Sequence, residues 1–423
     1  MIQEIYDYIK NVPIVDTHEH LPCFEIERPH NDVIAEFLSS YLYVDLVSAG
    51  LSQKELLFVR NDKVPVVEKW NVLEKYWNVC QYTGYGQALS IAVKDIYDID
   101  YIGTETIDSL NCAYLKGQNE QHFYKVLKIK SNIKKSILDC DRYNEADPDY
   151  YIVSNRIDWM IMPKTGKDIR LLEELSGVQI YTFENYLTAC EVCIDQYCAK
   201  SKILKLGIAY SRSLCFPRTL RMDAESCFNR MIRSGDLGEK DMESRTYFCE
   251  PPFTNYVFRC ILGAAQERGM ILQIHTGIQD GNGNILVNSN PVHLNEIFID
   301  YPKMRFDLFH IGYPYQKEAG VLCKMFPNVY LDMCWAHIVS PVASRKTLSE
   351  WLEFLPYTKI SGFGGDYMFV DGVYGHQFLA RKNIAQVLSE KVEEGVFCID
   401  KACEIGDSLL YDNPAEIFHI SAS

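Results

Sequence analysis

Val15-Asp-Thr-His-Glu-His20 places two imidazoles two residues apart. At the end of a strand, residues i and i+2 lie on one side. His18 and His20 then face the same way, and their ring nitrogens can converge on one divalent cation at roughly 2.0–2.1 Å. Alone, this spacing also fits two surface histidines. Three further apolar runs end in a metal-competent side chain: Ile271–Ile274 precedes His275, Phe306–Phe309 precedes His310, and Lys359–Gly365 precedes Asp366. Of the 10 histidines, His30, His122, His293, His337, His376 and His419 do not fall on such ends. A metal that activates water, next to a carboxylate that moves a proton, is the chemistry such a set supports.

Other residues have competing readings. Lys205, inside Ile203–Ala209, is an odd residue for a buried strand, because a desolvated ammonium needs a partner. It pairs with a carboxylate or meets a substrate acid. Tyr210 and Arg212 follow it; a guanidinium fork there can clamp a substrate carboxylate, and a solvated loop arginine fits equally. Cys190-x-x-Cys193 with Cys198 falls on one apolar helical stripe with Tyr186, Ile194 and Tyr197, which reads as core packing. Trp70 and Trp77 share a helix face and read the same way. His376 and Arg381 follow the last apolar run closely enough to reach the same region.

The elements that must carry these residues are short, nearly continuous apolar runs: Pro13–Thr17, Lys134–Asp139, Ile157–Met162, Ile203–Ala209, Met270–Ile274, Met304–Phe309, Val329–Met333 and Lys359–Phe363. Such runs are typical of parallel strands covered on both faces. Helical segments such as Tyr256–Glu267 and Arg381–Lys391 lie between them. An α/β chain of eight such units predicts a (β/α)8 TIM barrel, in which the C-terminal strand ends meet across one mouth. A doubly wound open sheet would alternate too. The gap between the first two strands far exceeds a normal βα loop. Its helical content (Ile34–Leu46, Val67–Tyr82, Gly86–Tyr97) predicts an insertion over residues 21–130, a lid within one domain spanning 1–423. A second long connection, Arg212–Tyr247, follows the fourth strand.

The chain of 423 residues is 48% hydrophobic, too apolar for disorder. Its 42 Lys and Arg against 57 Asp and Glu leave a net charge of −15, which disfavours nucleic acid and anionic membranes. The lysines at 125, 128, 130, 134 and 135 read as a solvated face. The first ten residues carry acids where a signal peptide carries lysines, and no run of eighteen apolar residues occurs. The 15 cysteines read as reduced thiols, so a cytoplasmic setting is expected.

The order of HxH after strand one, His after strands five and six, and Asp after strand eight resembles the amidohydrolase superfamily. His275-Thr-Gly-Ile-Gln-Asp-Gly281, His310-Ile-Gly-Tyr-Pro-Tyr315, Asn328-Val-Tyr-Leu-Asp332 and Gly364-Gly-Asp366 resemble its amidohydrolase-related branch of hydrolases and decarboxylases. Asp412-Asn-Pro-Ala-Glu-Ile-Phe418 is similar to the usual terminal helix. The insertion, with Trp70, Trp77 and Thr83-Gly-Tyr-Gly86, resembles uronate isomerases. The resemblance implies that His18, His20, His275 and Asp366 bind a divalent metal, zinc with manganese and iron(II) as competitors. His310 would sit beside it and Asp366 would carry the proton. One ion is expected; a second would make Lys205 a bridging ligand. The implied function is a metal-dependent hydrolase cleaving a C–N or C–O bond of a small polar molecule, with a carboxylate-bearing one in view. A sugar-acid isomerase or a decarboxylase is the alternative on the same scaffold, and a non-catalytic metal-bound ligand sensor the alternative of another class. A homo-oligomer is compatible with the fold.

Overall fold

The computed structural model describes residues 2–25, 30–117, 121–140, 145–234 and 249–420. Eight parallel strands follow one another in sequence order around a barrel: β1 Ile14–Glu19, β2 Ile133–Cys140, β3 Tyr151–Arg156, β4 Ile203–Leu206, β5 Ile271–Ile274, β6 Arg305–Leu308, β7 Val329–Asp332 and β8 Ile360–Ser361. Backbone bonds from Thr17 N to Phe363 O (3.2 Å) and from Asp366 N to His18 O (2.8 Å) join the last strand's end back to the first. The expected TIM barrel is thus the fold.

Alternation along the strands fills the barrel in layers. Lys205, Gln273 and Asp307 are adjacent in register on β4, β5 and β6 and are all buried. Two residues earlier on the first two of these strands, Ile203 and Ile271 point the same way. With Ile137, Ile417 and Phe418 they form an apolar cluster apart from the main core, at the N-terminal end of the strands. Each such isoleucine contributes about 1.5–3 kcal/mol by leaving water. The polar layer therefore rests on an apolar floor.

The third strand differs from expectation. The run Ile157–Met162 is not a strand: β3 ends at Arg156, and Asp158–Ile161 is a single helical turn. Ile157, Met160 and Ile161 are fully buried, and a short apolar run fits a buried helical turn as well as a strand. The other seven runs overlap β1, β2 and β4–β8, with ends shifted by a few residues.

Between β1 and β2 the chain is helical, from Val33–Phe37 to the π-helical turn Tyr124–Lys130. The segment expected as one helix over Ile34–Leu46 is two, Val33–Phe37 and Leu42–Ser48. Trp70 and Trp77 are buried in its core, and their indole N–H groups donate to Thr104 Oγ1 (3.0 Å) and Ile102 O (3.1 Å). Asp32 caps Val33–Phe37 by accepting from Ala35 N, and its other oxygen pairs with buried Lys69. The insertion docks through helix Gly84–Tyr97 on helix Val370–Glu393. Backbones approach so closely there that a Cβ at Gly375 would lie 2.0 Å from Ala88 O.

Of the connection Arg212–Tyr247, helix Arg221–Ser234 is seen; residues 235–247 lie outside the described residues. Cys190 and Cys193 pack in the core on helix Phe183–Lys200. The described cysteines are free thiols. Among the described residues, no helix is long and apolar enough to cross a membrane.

Candidate metal centre

The C-terminal ends of the strands surround a cavity of about 650 Å³ lined by His18, His20, Lys205, His275, Asp366 and residues of the surrounding loops. His18 and His20 extend from β1, as alternation requires. Their Nε2 atoms lie 3.7 and 3.3 Å from Asp366 Oδ1, and ligand-competent atoms of the three residues all lie within 4.8 Å of one another. Asp366 Oδ2 faces the other way, 3.8 Å from His310 Nε2. The Asp366 carboxylate therefore stands between two groups of imidazoles.

Hydrogen bonds fix the tautomers of the second group. A carbonyl only accepts, so His275 Nε2 donates to Ile278 O (2.9 Å) and His310 Nδ1 donates to Cys334 O (3.0 Å). Burial pushes both imidazoles below their ordinary pKa, His310 to about 4, so each is neutral. Their remaining nitrogens, His275 Nδ1 and His310 Nε2, then present lone pairs to each other across 3.1 Å. Two bare acceptors at that distance repel unless a cation or a donor approaches them. Burial also holds His18 well below its usual pKa, with Lys205 adding to the effect. His18, His275 and His310 thus present neutral imidazoles, and together with His20 and the Asp366 carboxylate they form a donor set that fits a divalent cation.

Asp366 keeps its charge. Burial alone would raise its pKa, but the hydrogen bond from His20 and the fields of His310, His20 and Lys205 outweigh it, so the net shift is downward. Backbone strain accompanies the site. His310, Trp335 and Asp366, just past β6, β7 and β8, have φ of 62°, 61° and 57°, a left-handed region that non-glycine residues rarely adopt. Strain of that kind costs about 1–3 kcal/mol per residue and persists where surrounding contacts over-determine it.

Comparisons with known proteins bear on this geometry. A family profile described as amidohydrolase matches residues 238–420. Protein fluG of Emericella nidulans is 32% identical over 151 residues, covering 36% of this chain and only 17% of that protein. A uronate isomerase of Thermotoga neapolitana is 19% identical over 454 residues, covering 98% of this chain and 96% of that protein. The match to the amidohydrolase family thus covers the C-terminal part of the chain, which carries His275, His310 and Asp366. The crystal structure of glucuronate isomerase from Caulobacter crescentus shares the fold, with a TM-score of 0.79 at 18% identity over 100% of this chain and 94% of that one.

The superfamily resemblance leaves the other wall of the cavity to be read from this chain alone. Lys205 Nζ lies 3.2 Å from His18 Nε2 and 3.6 Å from the centre of the Phe309 ring. Burial lowers its pKa, while Asp139 and Asp366 oppose that shift. Tyr210 lines the cavity, its ring 4.9 Å from that of His275 and its hydroxyl accepting from Asp280 N (2.9 Å). Arg212 is not brought there. Its guanidinium folds back onto Ser213 O, Cys215 O, Thr254 Oγ1 and Asn255 Oδ1, so its donors tie its own loop to the start of helix Pro251–Glu267. Arg381 likewise turns away, donating to Ile9 O, Val12 O and Ser131 O.

The guanidinium that does line the cavity is Arg156, at the end of β3. It lies 3.4 Å from Asp139 Oδ2 and 3.7 Å from Asp158 Oδ2. Gly207 makes room for it, since a Cβ there would sit 2.5 Å from Arg156 Nη2. Asp139, at the end of β2, is buried, has neither oxygen hydrogen-bonded among the described residues, and lies 3.7 Å from His18 Nε2. Sequence reasoning missed both because Arg156 precedes the apolar run taken as the strand, and Asp139 closes a run read only as a strand. The signal was present in the strand-end rule, which a register ending at Arg156 would have applied. The insertion supplies Ser40 and Tyr41 to the lining.

Proposed function

We propose that the protein is a divalent-metal-dependent hydrolase that uses water to cleave a C–N or C–O bond of a small, carboxylate-bearing molecule. The observation that carries this reading is the meeting of His18, His20 and Asp366 at ligand spacing beside the facing lone pairs of His275 and His310. His18, His20, His275 and Asp366 would hold the cation, zinc ahead of manganese and iron(II), since neutral imidazole and carboxylate suit it. When bound, such a cation lowers the pKa of water towards ~7 and polarises a carbonyl.

The chain's own groups divide the remaining work. Asp366, held ionised by the hydrogen bond from His20 and the field of Lys205, accepts the proton of the attacking water and returns it to the leaving nitrogen or oxygen. His310 Nε2 accepts the other water hydrogen and so orients the attack. Across the cavity, Arg156 anchors the substrate carboxylate through its two-pronged guanidinium, in the role the sequence suggested for Arg212. Tyr210 forms the wall between the two ends. Lys205 remains an amine beside His18 when a single ion binds, and it bridges only if two do. The 21–130 insertion, with Ser40 and Tyr41, acts as the lid that sets specificity. The free thiols fit a cytoplasmic setting.

A second reading, isomerisation of a sugar acid, is favoured by the uronate isomerases matched over 98% of the chain. In that chemistry Asp366 moves a proton between neighbouring carbons and no water is consumed. One experiment separates the two. The metal-loaded protein is incubated with N-acyl amino acids, lactones and uronic acids in H2(18)O and in D2O, and the products are weighed by mass spectrometry. One 18O per turnover supports hydrolysis. Carbon-bound deuterium without hydrolytic cleavage supports isomerisation. No turnover across the panel favours the metal-bound sensor.

A further inference from the structure

β8 is only two residues long, so the peptides that follow it and carry Asp366 lie beyond its ladder. A buried carbonyl without a donor costs about 1–3 kcal/mol, and every carbonyl from Gly362 to Asp366 has one. Phe363 O accepts from Thr17 N (3.2 Å) and Thr17 Oγ1 (3.0 Å), and Gly364 O accepts from Trp335 N (2.9 Å). Asp366 O accepts from the Tyr41 hydroxyl. The other two are met by histidines: His337 Nε2 donates to Gly362 O and His376 Nδ1 donates to Gly365 O, each at 3.0 Å.

Both rings are fully buried, 6.1 Å apart between centres, and outside the cavity. Because carbonyls only accept, the proton positions follow. His337 Nδ1 is left as an acceptor and receives Asn383 Nδ2–H (3.3 Å), whereas His376 Nε2 is left without a hydrogen-bond partner among the described residues. Burial keeps both neutral, at about 4 and about 3. A buried imidazole with one nitrogen unmet is a costly way to fill space. Its single hydrogen bond is therefore the feature to explain.

That bond acts on one peptide plane. Gly365 O and Asp366 N belong to the same unit, held on one side by His376 and on the other by His18 O (2.8 Å). The preceding plane is held likewise, by Trp335 N at Gly364 O and by Asp16 Oδ1 at Gly365 N (2.9 Å). The glycines are needed for this proximity: a Cβ at Gly364 would lie 2.5 Å from Thr17 Oγ1, and one at Gly365 1.8 Å from Glu19 Oε1. Asp366 emerges from these planes in a left-handed conformation.

We propose that His376 is a positioning residue: its Nδ1–H holds the Gly365–Asp366 peptide and thereby aims the Asp366 carboxylate at His18 and His20, with His337 bracing the same loop at Gly362. This rests on the reading of Asp366 as cation ligand and base. His376 itself touches neither substrate nor reacting atoms.

The test compares wild type with His376→Ala and His376→Asn, whose Nδ2–H can replace the lost donor, using Co²⁺ titration, the visible spectrum of the bound ion and thermal melting. His376→Ala is expected to weaken Co²⁺ binding by roughly 10–100-fold and alter the spectrum, while His376→Asn returns both to within about threefold of wild type. Wild-type affinity and spectrum in His376→Ala would overturn the proposal. So would failure of a normally melting Asn variant to restore them. If His376→Ala does not fold, His376→Gln takes its place, because its amide cannot sit where Nδ1 does; the same outcomes decide. If wild type takes up no cobalt, the metal reading of the site fails by itself. Deuterium exchange of peptides spanning residues 361–370 then decides: faster exchange in His376→Ala, restored by Asn, supports positioning, and unchanged exchange overturns it.

Discussion

Around the cavity, His18, His310 and Asp366 expose 1%, 1% and 4% of their surface, whereas the side chains of His20 at the mouth, Arg156 and Asp158 keep 32%, 29% and 24%. The first wall, from β1, β5, β6 and β8, is made of neutral rings and one carboxylate on backbone whose groups are individually bonded. The second, from β2, β3 and the turn after β3, brings the Arg156 guanidinium within 3.4 Å of Asp139 and 3.7 Å of Asp158. Burial and tight bonding suit groups whose lone pairs must already converge when a cation arrives. Partial exposure suits a guanidinium that must exchange a resident carboxylate for that of a substrate, because solvent lowers the cost of parting. The two walls divide rigidity from exchangeability.

The largest effects are expected on the buried wall. His18→Ala/His20→Ala should take bound metal from about one equivalent to nearly none and lower turnover by at least ~10³-fold, in line with a metal that supplies the nucleophile. Retention of metal in that variant would break the division outright. Asp366→Asn should cost ~10²–10⁴-fold in kcat, the usual range for a general base, with protein-bound metal measured alongside. Full turnover would remove Asp366 from proton transfer.

The second wall should respond in binding. Arg156→Met is expected to raise KM for a carboxylate substrate by roughly 10–100-fold with kcat within about threefold, the pattern of lost uniform binding. Arg212→Met should leave KM unchanged and lower Tm by a few degrees, about 2–4 °C, since its bonds tie its loop to helix Pro251–Glu267. Reversed results would return the carboxylate anchor to Arg212.

The smallest effect concerns the layer beneath the buried wall. Burial, and for Asp332 the field of Asp307 as well, raises the pKa of both carboxyls. The folded chain then keeps protons that the unfolded chain has released, so stability falls as pH rises above the ordinary carboxylate range. Asp307→Asn removes one such group. Its Tm relative to wild type should increase with pH, by roughly 2–4 °C between pH 5 and pH 8. A difference independent of pH would mean that the pair is ionised in the fold.

The buried wall was also the more legible one in the sequence. His18, His20, His275, His310 and Asp366 stand where apolar runs stop, and a barrel brings such ends together whatever their spacing along the chain. The second wall was obscured by one misplaced register. Ile157–Met162 outscores Tyr151–Arg156 in hydrophobicity, yet its apolar residues pack as a helical turn beside the mouth. Ending the strand there hid Arg156 and left Arg212 as the visible guanidinium. The carbonyls that Arg381 satisfies, and the Thr254 and Asn255 side chains that hold Arg212, lie on chain segments distant in sequence, and no local pattern reports that.

The Tyr41 hydroxyl, from the insertion, holds the backbone oxygen of Asp366. For anyone grafting the 21–130 segment between relatives to retarget the enzyme, this single contact means that the transplanted piece carries part of the chemistry with it. A donor segment without a hydroxyl at that place would change substrate preference and the base together, and a clean exchange requires Tyr41 to stay behind.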